Sequence, residues 1–383
     1  EWGEGCFFIS VWPRHSQNGH LPLKHFIFLE EPKMKNNMMK KLLTMTLACA
    51  MTLSLAACGS KAESPADSPA DQNTAAPTES DAKTYKVAVI KQLDHASLDE
   101  IANAVTAELD QISADKNVKI EYEVTSGQGD QTILKQLSDQ AIADGVDAII
   151  PIATTAAQIA ALSAEETKTP VVYAAVSDPE TAKLTGIDCV TGTSDALNTD
   201  FIMDMMFAQN PNTAKVGLLY SLSEPNSAKP IADAKAYLDT KGIEYVEQTA
   251  NTNDEVVAAA SALIAAGVDA VFTPTDNVIM AAELAIYEDL AKNGIPHYTG
   301  ADSFVRNGAY ATCGVNYTDL GTQTADLAYT AMTEGMDGME DYYLMDGGII
   351  TVNTDTCALI GKQADYACFN SMGEVVEVTT TKD

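Results

Sequence analysis

Short apolar segments alternate with amphipathic segments from about residue 85 to about residue 300, and this alternation predicts strands and helices in turn. The apolar runs are brief and rich in β-branched residues, as in strands that are covered on both faces. Between them, apolar residues recur about every three or four positions, which is the period of one helix face. Strands are predicted at 87–90, 120–124, 148–151 and 171–174, and helices at 98–109, 132–143 and 156–166.

The same landmarks recur in the same order about 125 residues later. Residues 86–90 match 215–219, residues 145–150 match 267–272, and Cys189 and Asp195 match Cys313 and Asp319. A period this long indicates a duplicated domain. The second copy predicts strands near 215–220, 244–248, 269–273 and 296–299, and helices near 227–240, 254–266 and 277–291.

Strands that alternate with helices form parallel sheets with right-handed crossovers. We therefore predict an α/β fold of two doubly wound parallel-sheet lobes joined by hinge crossovers near 192–194, 315–317 and 347–353. Lobe 1 is assigned to 85–193, lobe 2 to 194–315, return crossovers completing lobe 1 to 316–369, and a C-terminal tail to 370–383. Such lobes can hinge about a cleft that lies at the carboxyl ends of their strands.

The N-terminal part has the pattern of a secretory signal. Lysines precede an apolar stretch at 42–55, which ends in the small residues before Cys58. A cysteine at the first mature position resembles the lipobox, which implies a lipoprotein signal peptide at 34–57, lipid on Cys58 and attachment to the extracytoplasmic face of the cell membrane. The alternative, a short transmembrane helix, lacks the ~20 residues that a bilayer crossing needs.

The segments on either side of the signal differ from it in composition. Residues 1–33 have no coherent period and are interpreted as non-native upstream translation, with Met34, Met38 and Met39 as possible starts. Residues 58–84 form a predicted disordered, acidic tether, because 59–83 contain no bulky apolar residue.

The chain is acidic, with 54 Asp and Glu against 23 Lys and Arg and a net charge of −31. This charge disfavours nucleic acid as a partner. The later cysteines have no CxxC spacing, so neither a metal nor another cofactor is predicted, and a disulfide between Cys189 and Cys313 stays open. Ser221, Ser223 and His95 could be combined as a catalytic group, but the chain lacks a GxSxG motif and a phosphate-binding glycine loop. We therefore predict that it is not an enzyme.

Several runs follow the predicted strands in a characteristic order: QLDHASLD at 92–99, SGQGD at 126–130, PIATTAAQ at 151–158, AVSDP at 175–179, PTDN at 274–277, NGA at 307–309 and NYTDLG at 316–321. Together they resemble the tryptophan/tyrosine ABC transporter substrate-binding protein family. The resemblance implies a type I periplasmic binding protein-like fold that binds a small amino acid, aromatic for preference, and presents it to a permease that works with ATPase subunits. A branched-chain amino acid, a nucleoside or a sugar stays open as the ligand, and a sensory or structural surface lipoprotein stays open as the function.

Anion binding is expected at helix N-termini, because Arg306 is the one arginine after residue 57 and is interpreted as an exposed loop cation. Two turns at strand ends offer backbone N–H groups and short polar side chains. They contain Thr154, Thr155, Thr275, Asp276 and Asn277. Each turn could also be an ordinary N-cap.

Carboxylates at the same edge are the candidates for binding an ammonium group. Asp302 is the preferred one, and Asp178 is the second, although a helix-capping role competes because Pro179 follows it. Tyr220 could stack on a planar ligand or pack in the core. The resemblance adds Gln92, Asp94, His95 and Ser177 to the candidate ligand-binding residues, with a purely structural histidine as the alternative for His95.

Overall fold

The computed structural model describes residues 83–361 and 364–381. The predictions for the upstream segment 1–33, the signal peptide 34–57, Cys58 and the tether up to residue 82 lie outside these described residues.

Helices and strands alternate through the described chain. The first part contains β1 (Thr84–Lys91), α1 (Ala96–Lys116), β2 (Lys119–Ser126), α2 (Gln131–Ala143), β3 (Ala148–Ile152), α3 (Thr154–Ser163), β4 (Val171–Tyr173) and β5 (Val190–Ser194). The second contains α4 (Thr199–Gln209), β6 (Lys215–Tyr220), α5 (Pro225–Lys241), β7 (Glu244–Thr249), α6 (Asn253–Ala266), β8 (Ala270–Thr273), α7 (Asn277–Lys292), β9 (His297–Thr299), α8 (Asp302–Arg306) and β10 (Ala311–Gly314). The last contains α9 (Tyr317–Glu334), β11 (Tyr343–Leu344), β12 (Ile349–Asn353), α10 (Thr354–Ile360), a 3₁₀ helix (Ala367–Ser371) and β13 (Val375–Val378).

The strands form two separate sheets. The first has the order β11-β5-β4-β3-β1-β2 and is parallel throughout. The second has the order β13-β12-β10-β9-β8-β6-β7 and is parallel except where β12 pairs with β10. We call the first sheet with α1–α3 and α9 lobe 1, and the second sheet with α4–α8 and α10 lobe 2. The predicted class, an α/β fold of two doubly wound parallel-sheet lobes, is confirmed.

The chain crosses between the lobes at 195–198, 315–316 and 345–348. The last crossing shows that two assignments were wrong. Residues 316–369 do not all belong to lobe 1, and residues 370–383 are not only a tail. Only α9 and β11 join lobe 1, whereas β12, α10 and β13 belong to lobe 2. The reason is the apolar strand Ile349–Asn353, which pairs antiparallel with β10 and then offers its other edge to β13.

Buried apolar residues cover both faces of each sheet, as the continuous apolar strands require. One buried cluster contains residues of both lobes, including Leu98 of α1, Met280 of α7 and Phe304 of α8. Helices α1 and α9 pack closely at Gly321, where a Cβ would lie 2.6 Å from the Cβ of Ala104. None of the helices within 83–361 and 364–381 has both the length and the apolar character for crossing a membrane.

Candidate functional site

The loops at the carboxyl ends of the central strands face each other across the two lobes. In lobe 1 they follow β1 and β3, and in lobe 2 they follow β6 and β8, which is where doubly wound sheets bind their ligands. The cavity between them is lined by His95, Ser97, Leu98, Ala153, Thr154, Ala175, Ser177, Asp195, Asn226, Thr275, Asp276, Asn277, Met280, Phe304 and Tyr317. Its volume is about 20 Å³, which is space for about one water molecule.

Two alanines in the cavity wall have backbone conformations that L-residues rarely adopt. Ala153, just before α3, has φ 79° and ψ 162°, and Ala175, after β4, has φ 56°. Such conformations cost about 1–3 kcal/mol each and cluster at functional sites. At both positions the strain occurs where the backbone of lobe 1 turns into the cavity.

Gln92 connects the lobes beside the cavity. Its Nε2 donates to Oε1 of Glu224 at 2.6 Å, and its Oε1 accepts from the backbone N–H of Thr155 at 3.1 Å. Oε2 of the buried Glu224 accepts from Nδ2 of Asn277 at 2.6 Å. Oδ1 of Asn277 in turn lies 3.0 Å from Nε2 of His95. Because an amide oxygen only accepts, Nε2 of His95 carries the hydrogen, and the lobes are held together by a chain of amide, carboxylate and imidazole groups that runs from Gln92 to His95.

A second hydrogen-bonded group lies at the first two crossings. Oδ1 of Asp195 accepts from Ser177 Oγ at 2.8 Å, and Oδ2 accepts from Tyr317 OH at 3.0 Å. Ser177 Oγ also lies 3.1 Å from Thr275 Oγ1 of lobe 2. Ser97 and Ser303 add a direct contact between the lobes, with their Oγ atoms 2.5 Å apart.

Asp276 has four donors within lobe 2. Its Oδ1 accepts from the backbone N–H groups of Val278 and Ile279, and its Oδ2 accepts from the N–H of Ser221 and Oγ of Ser227. The first-turn amides of α7 are therefore satisfied by Asp276 itself, which is an N-cap. The expectation that the amides of this turn are free for an anion is wrong for Val278 and Ile279.

Several polar side-chain atoms around the cavity are buried without a hydrogen-bond partner in the structure. They are Oγ1 of Thr154, Oγ1 of Thr155, Oδ1 of Asn226 and Nδ1 of His95. A buried polar atom without a partner costs about 1–3 kcal/mol, so a polar group that reached these atoms would be favoured in the cavity.

The electrostatics of the cavity are acidic. Burial raises the pKa of Asp195, and burial raises the pKa of Glu224 and of Asp276, with the charge of Asp276 adding to the effect on Glu224. Burial lowers the pKa of His95 to about 4, so its imidazole is neutral at physiological pH. No lysine or arginine is among the described residues that line the cavity. A cationic group on a ligand would therefore be favoured there.

Six predicted site residues lie outside the cavity wall. Gln92 and Thr155 lie beside it and bond to each other, and the remaining four have other partners. Asp94 pairs with Lys91 at 2.6 Å and is exposed. Asp178 accepts from the N–H and Oγ1 of Thr181, within a turn and not at the start of a helix. Tyr220 donates to Oε2 of Glu247 at 2.8 Å, and Asp302 pairs with Arg306.

The Asp302–Arg306 pair changes the predicted roles of both residues. Arg306 lies on α8, and its guanidinium contacts Asp302 and, at 3.2 Å, Glu100 of α1 in lobe 1. Burial raises the pKa of Asp302 to about 6, although Arg306 acts in the opposite direction. Arg306 is therefore a bridge between the lobes and not a loop cation, and Asp302 already has a cationic partner.

Sequence reasoning missed Asp195, Glu224, Asn226 and Tyr317 as site residues. Asp195 was visible as a landmark of the repeat, and Tyr317 as part of the run NYTDLG. Glu224 and Asn226 carried a weaker signal, which is that they follow the carboxyl end of a predicted strand.

The cysteines and acidic residues form no additional site in the described part of the chain. Cys189 and Cys313 are free thiols and belong to different buried clusters, one in each lobe. Among residues 83–361 and 364–381, no group of histidine, cysteine and acidic side chains could hold a metal ion.

Comparisons with known proteins agree with this geometry. The "Tyrosine-binding protein" of Clostridioides difficile (strain R20291) is 28% identical over 291 residues, covering 74% of this chain and 83% of that protein. A Streptococcus pneumoniae ABC domain solved in complex with L-Trp has a TM-score of 0.68 and 26% identity, covering 77% of this chain and 100% of that one. The ligand-free, open structure of a substrate binding protein with adhesive properties from Clostridium difficile has a TM-score of 0.56 and 25% identity, covering 78% and 100%.

These relatives are substrate-binding proteins, so the prediction that the chain is not an enzyme is confirmed. The family model described as "ABC transporter substrate binding protein" matches residues 86–342. The two lobes, the cavity at their strand ends and this match agree with the resemblance seen in the sequence, and the chain belongs to the ABC transporter substrate binding protein family.

Proposed function

We propose that this substrate-binding protein binds a small zwitterionic amino acid, preferably an aromatic one, in the cavity between its lobes. The observation that carries the proposal is the buried cavity wall, in which carboxylates occur together with unpartnered polar atoms of Thr154, Asn226 and His95. The tyrosine-binding relative and the tryptophan-bound one support an aromatic side chain. Leu98, Met280 and Phe304 supply an apolar part of the wall.

The carboxylate of the amino acid has its best partners at the start of α3. Thr154 begins this helix, whose N-cap residue has no capping side chain. The helix dipole favours an anion there, although the N–H of Thr155 is already bonded to Gln92. Oγ1 of Thr154 is buried and unpartnered, so it can donate to a ligand carboxylate without breaking a bond within the protein.

Ligand binding requires the lobes to separate and close again. The cavity as it stands has too little free space for an amino acid, so the lobes must move apart before a ligand can enter. Opening replaces the contacts of Gln92 with Glu224 and of Ser177 with Thr275 by water. Gln92 and Glu224 lie outside the cavity wall, so their bond can form again when the lobes close around a ligand, and a ligand that touches both lobes favours closure by its differential affinity for the closed form. The three crossings at 195–198, 315–316 and 345–348 are the hinge.

We further propose that the closed form is presented to a membrane permease, with ATP hydrolysed by a separate subunit, and that lipid on Cys58 keeps the protein at the extracytoplasmic face of the membrane. The family supports the transport role. The lipobox at the end of the apolar segment 42–55 supports the anchor.

Calorimetry with L-tyrosine, L-tryptophan, L-leucine, a nucleoside and a sugar tests the ligand class, and Thr154→Val tests the site. The wild type should bind the aromatic amino acids most tightly, and the variant should lose about 10–150-fold in affinity, as expected for one hydrogen bond to a charged group. Thr199→Val is the matched control, because Thr199 also begins a helix and has a buried, unpartnered hydroxyl, but lies outside the cavity. Tight binding of the nucleoside or the sugar alone, or equal losses in both variants, would contradict the proposal.

A further inference from the structure

The cavity and its rim contain buried carboxylates, and their hydrogen bonds distinguish them. A carboxylate has about four lone-pair sites. The lone-pair sites of Asp276 accept from the four donors of lobe 2 described above. Glu224 is held by Gln92 and Asn277, and Asp302 has Arg306 as its partner. Neither Glu224 nor Asp302 is part of the cavity wall.

Asp195 differs from these three residues. It lines the cavity and is only 5% exposed. Its partners are two neutral hydroxyl groups, Ser177 Oγ and Tyr317 OH, so about half of its acceptor sites stay available. Within residues 83–361 and 364–381 it forms no ion pair. A buried charge without a counter-ion is costly unless a cation joins it.

We propose that Asp195 binds the ammonium group of the ligand, and that this contact makes an amine a requirement for binding. The inference rests on the proposed function for the identity of the ligand as an amino acid. It places the ligand ammonium group at the first crossing, whereas the ligand carboxylate is placed at the start of α3. Burial raises the pKa of Asp195, and a cation beside the carboxylate would act in the opposite direction.

The position of Asp195 also connects the ammonium group to the hinge. Asp195 is the first residue after β5, and Tyr317 is the first residue of α9 after the second crossing. Ser177 joins Asp195 to Thr275 of lobe 2. A ligand ammonium on Asp195 therefore contacts a group that is bonded to both neighbouring crossings and, through one hydroxyl, to the opposite lobe.

The test compares ligands that differ only in their charged groups. L-Tyrosine has both groups, tyramine lacks the carboxylate, and 3-(4-hydroxyphenyl)propanoate lacks the ammonium. For the wild type, calorimetry should show that 3-(4-hydroxyphenyl)propanoate, called propanoate below, binds at least about 30-fold more weakly than L-tyrosine. Asp195→Asn should lose at least about 30-fold for L-tyrosine and for tyramine, and should leave the weak propanoate binding unchanged.

Asp319→Asn is the matched control. Asp319 is the counterpart of Asp195 in the sequence repeat, but its side chain is exposed on α9, so the affinity for L-tyrosine should stay within about twofold of the wild type. An Asp195→Asn variant that binds L-tyrosine like the wild type, or that loses equally for L-tyrosine and propanoate, would overturn the assignment. If Asp195→Asn does not fold, the wild-type comparison alone decides, since propanoate binding as tight as that of L-tyrosine also overturns it.

Failure of the proposed function gives a different result. If the wild type ignores aromatic amino acids but binds L-leucine at least about 30-fold more tightly than 4-methylpentanoate, the aromatic preference is wrong and the amine requirement stands. If its ligand from the panel has no cationic group, or if no amine binds, the role of Asp195 is wrong.

Discussion

The Gln92–Glu224 hydrogen bond should control closure, and Gln92→Leu tests this. In the closed form, Gln92 Nε2 donates to the buried Glu224 at 2.6 Å. This bond joins the two lobes, so opening exchanges it for water. Because burial raises the pKa of Glu224 and so favours its neutral form, the relevant cost is that of leaving its buried oxygen without a donor, about 1–3 kcal/mol. Removing the bond should shift the closed-to-open equilibrium by that amount, which corresponds to about 5–150-fold in the affinity for a ligand that requires closure.

Gln92→Leu also removes the acceptor of the Thr155 N–H, but this bond lies within lobe 1. Its loss lowers the free energy of unfolding by about 1–3 kcal/mol and affects open and closed forms equally. Calorimetry with L-tyrosine measures the affinity, urea denaturation measures stability, and small-angle scattering should give a larger radius of gyration for the variant without ligand.

Gln158→Leu is the control for Gln92→Leu. Gln158 is also a glutamine of lobe 1, and its Nε2 donates to the carbonyl of Ala182 in the same lobe. It should lose stability without losing affinity. Wild-type affinity in Gln92→Leu, or an equal loss of affinity in Gln158→Leu, would refute the reasoning that the bond between the lobes sets closure.

Three further predictions concern the anchor, pH and helix packing. Cys58→Ser should release the protein from the membrane fraction and abolish labelling by a radioactive fatty acid; equal labelling of both forms would exclude the anchor. Burial lowers the pKa of His95 to about 4 from a usual value of about 6.5, so its contribution to closure is present above pH 6.5 and is lost as the pH falls through about 4. Calorimetry at pH 7 and pH 5 should show an affinity loss that His95→Gln reduces, and this comparison separates His95 from the buried carboxylates, whose raised pKa values act in the opposite direction. Gly321→Ala should lower the free energy of unfolding by about 1–2 kcal/mol, because its Cβ would meet Ala104 at 2.6 Å and this overlap outweighs the helix propensity of alanine; Gly347→Ala, with its nearest neighbour at 3.7 Å, should stay within about 0.5 kcal/mol in urea denaturation.

The fold was predictable because the duplication repeats every local signal. The apolar runs at 87–90 and 215–219 become β1 and β6, and each is an interior strand next to one edge strand of its sheet. The lobe that residues 349–378 join could not be predicted in the same way. An apolar strand such as β12 can pair with any open edge, and only the three-dimensional arrangement shows that the edge of β10 receives it.

The candidate site was predictable in its location and less so in its chemistry. Thr154, Ser177 and Asn277 follow strand ends and do line the cavity. Asp302 follows a strand end as well, but the same short helix places Arg306 one turn later, and the two side chains pair. Sequence spacing shows which residues reach an edge of a sheet, whereas the partner that a carboxylate finds there depends on side-chain packing.

The described chain enters the fold in one lobe and leaves it in the other. Strand β1 begins at Thr84, and its carboxyl end is at the cavity, so its amino end lies at the side of lobe 1 that is remote from the cavity. The C-terminal strand β13 belongs to lobe 2. Opening and closing of the lobes would therefore change the distance between the two ends of the described chain.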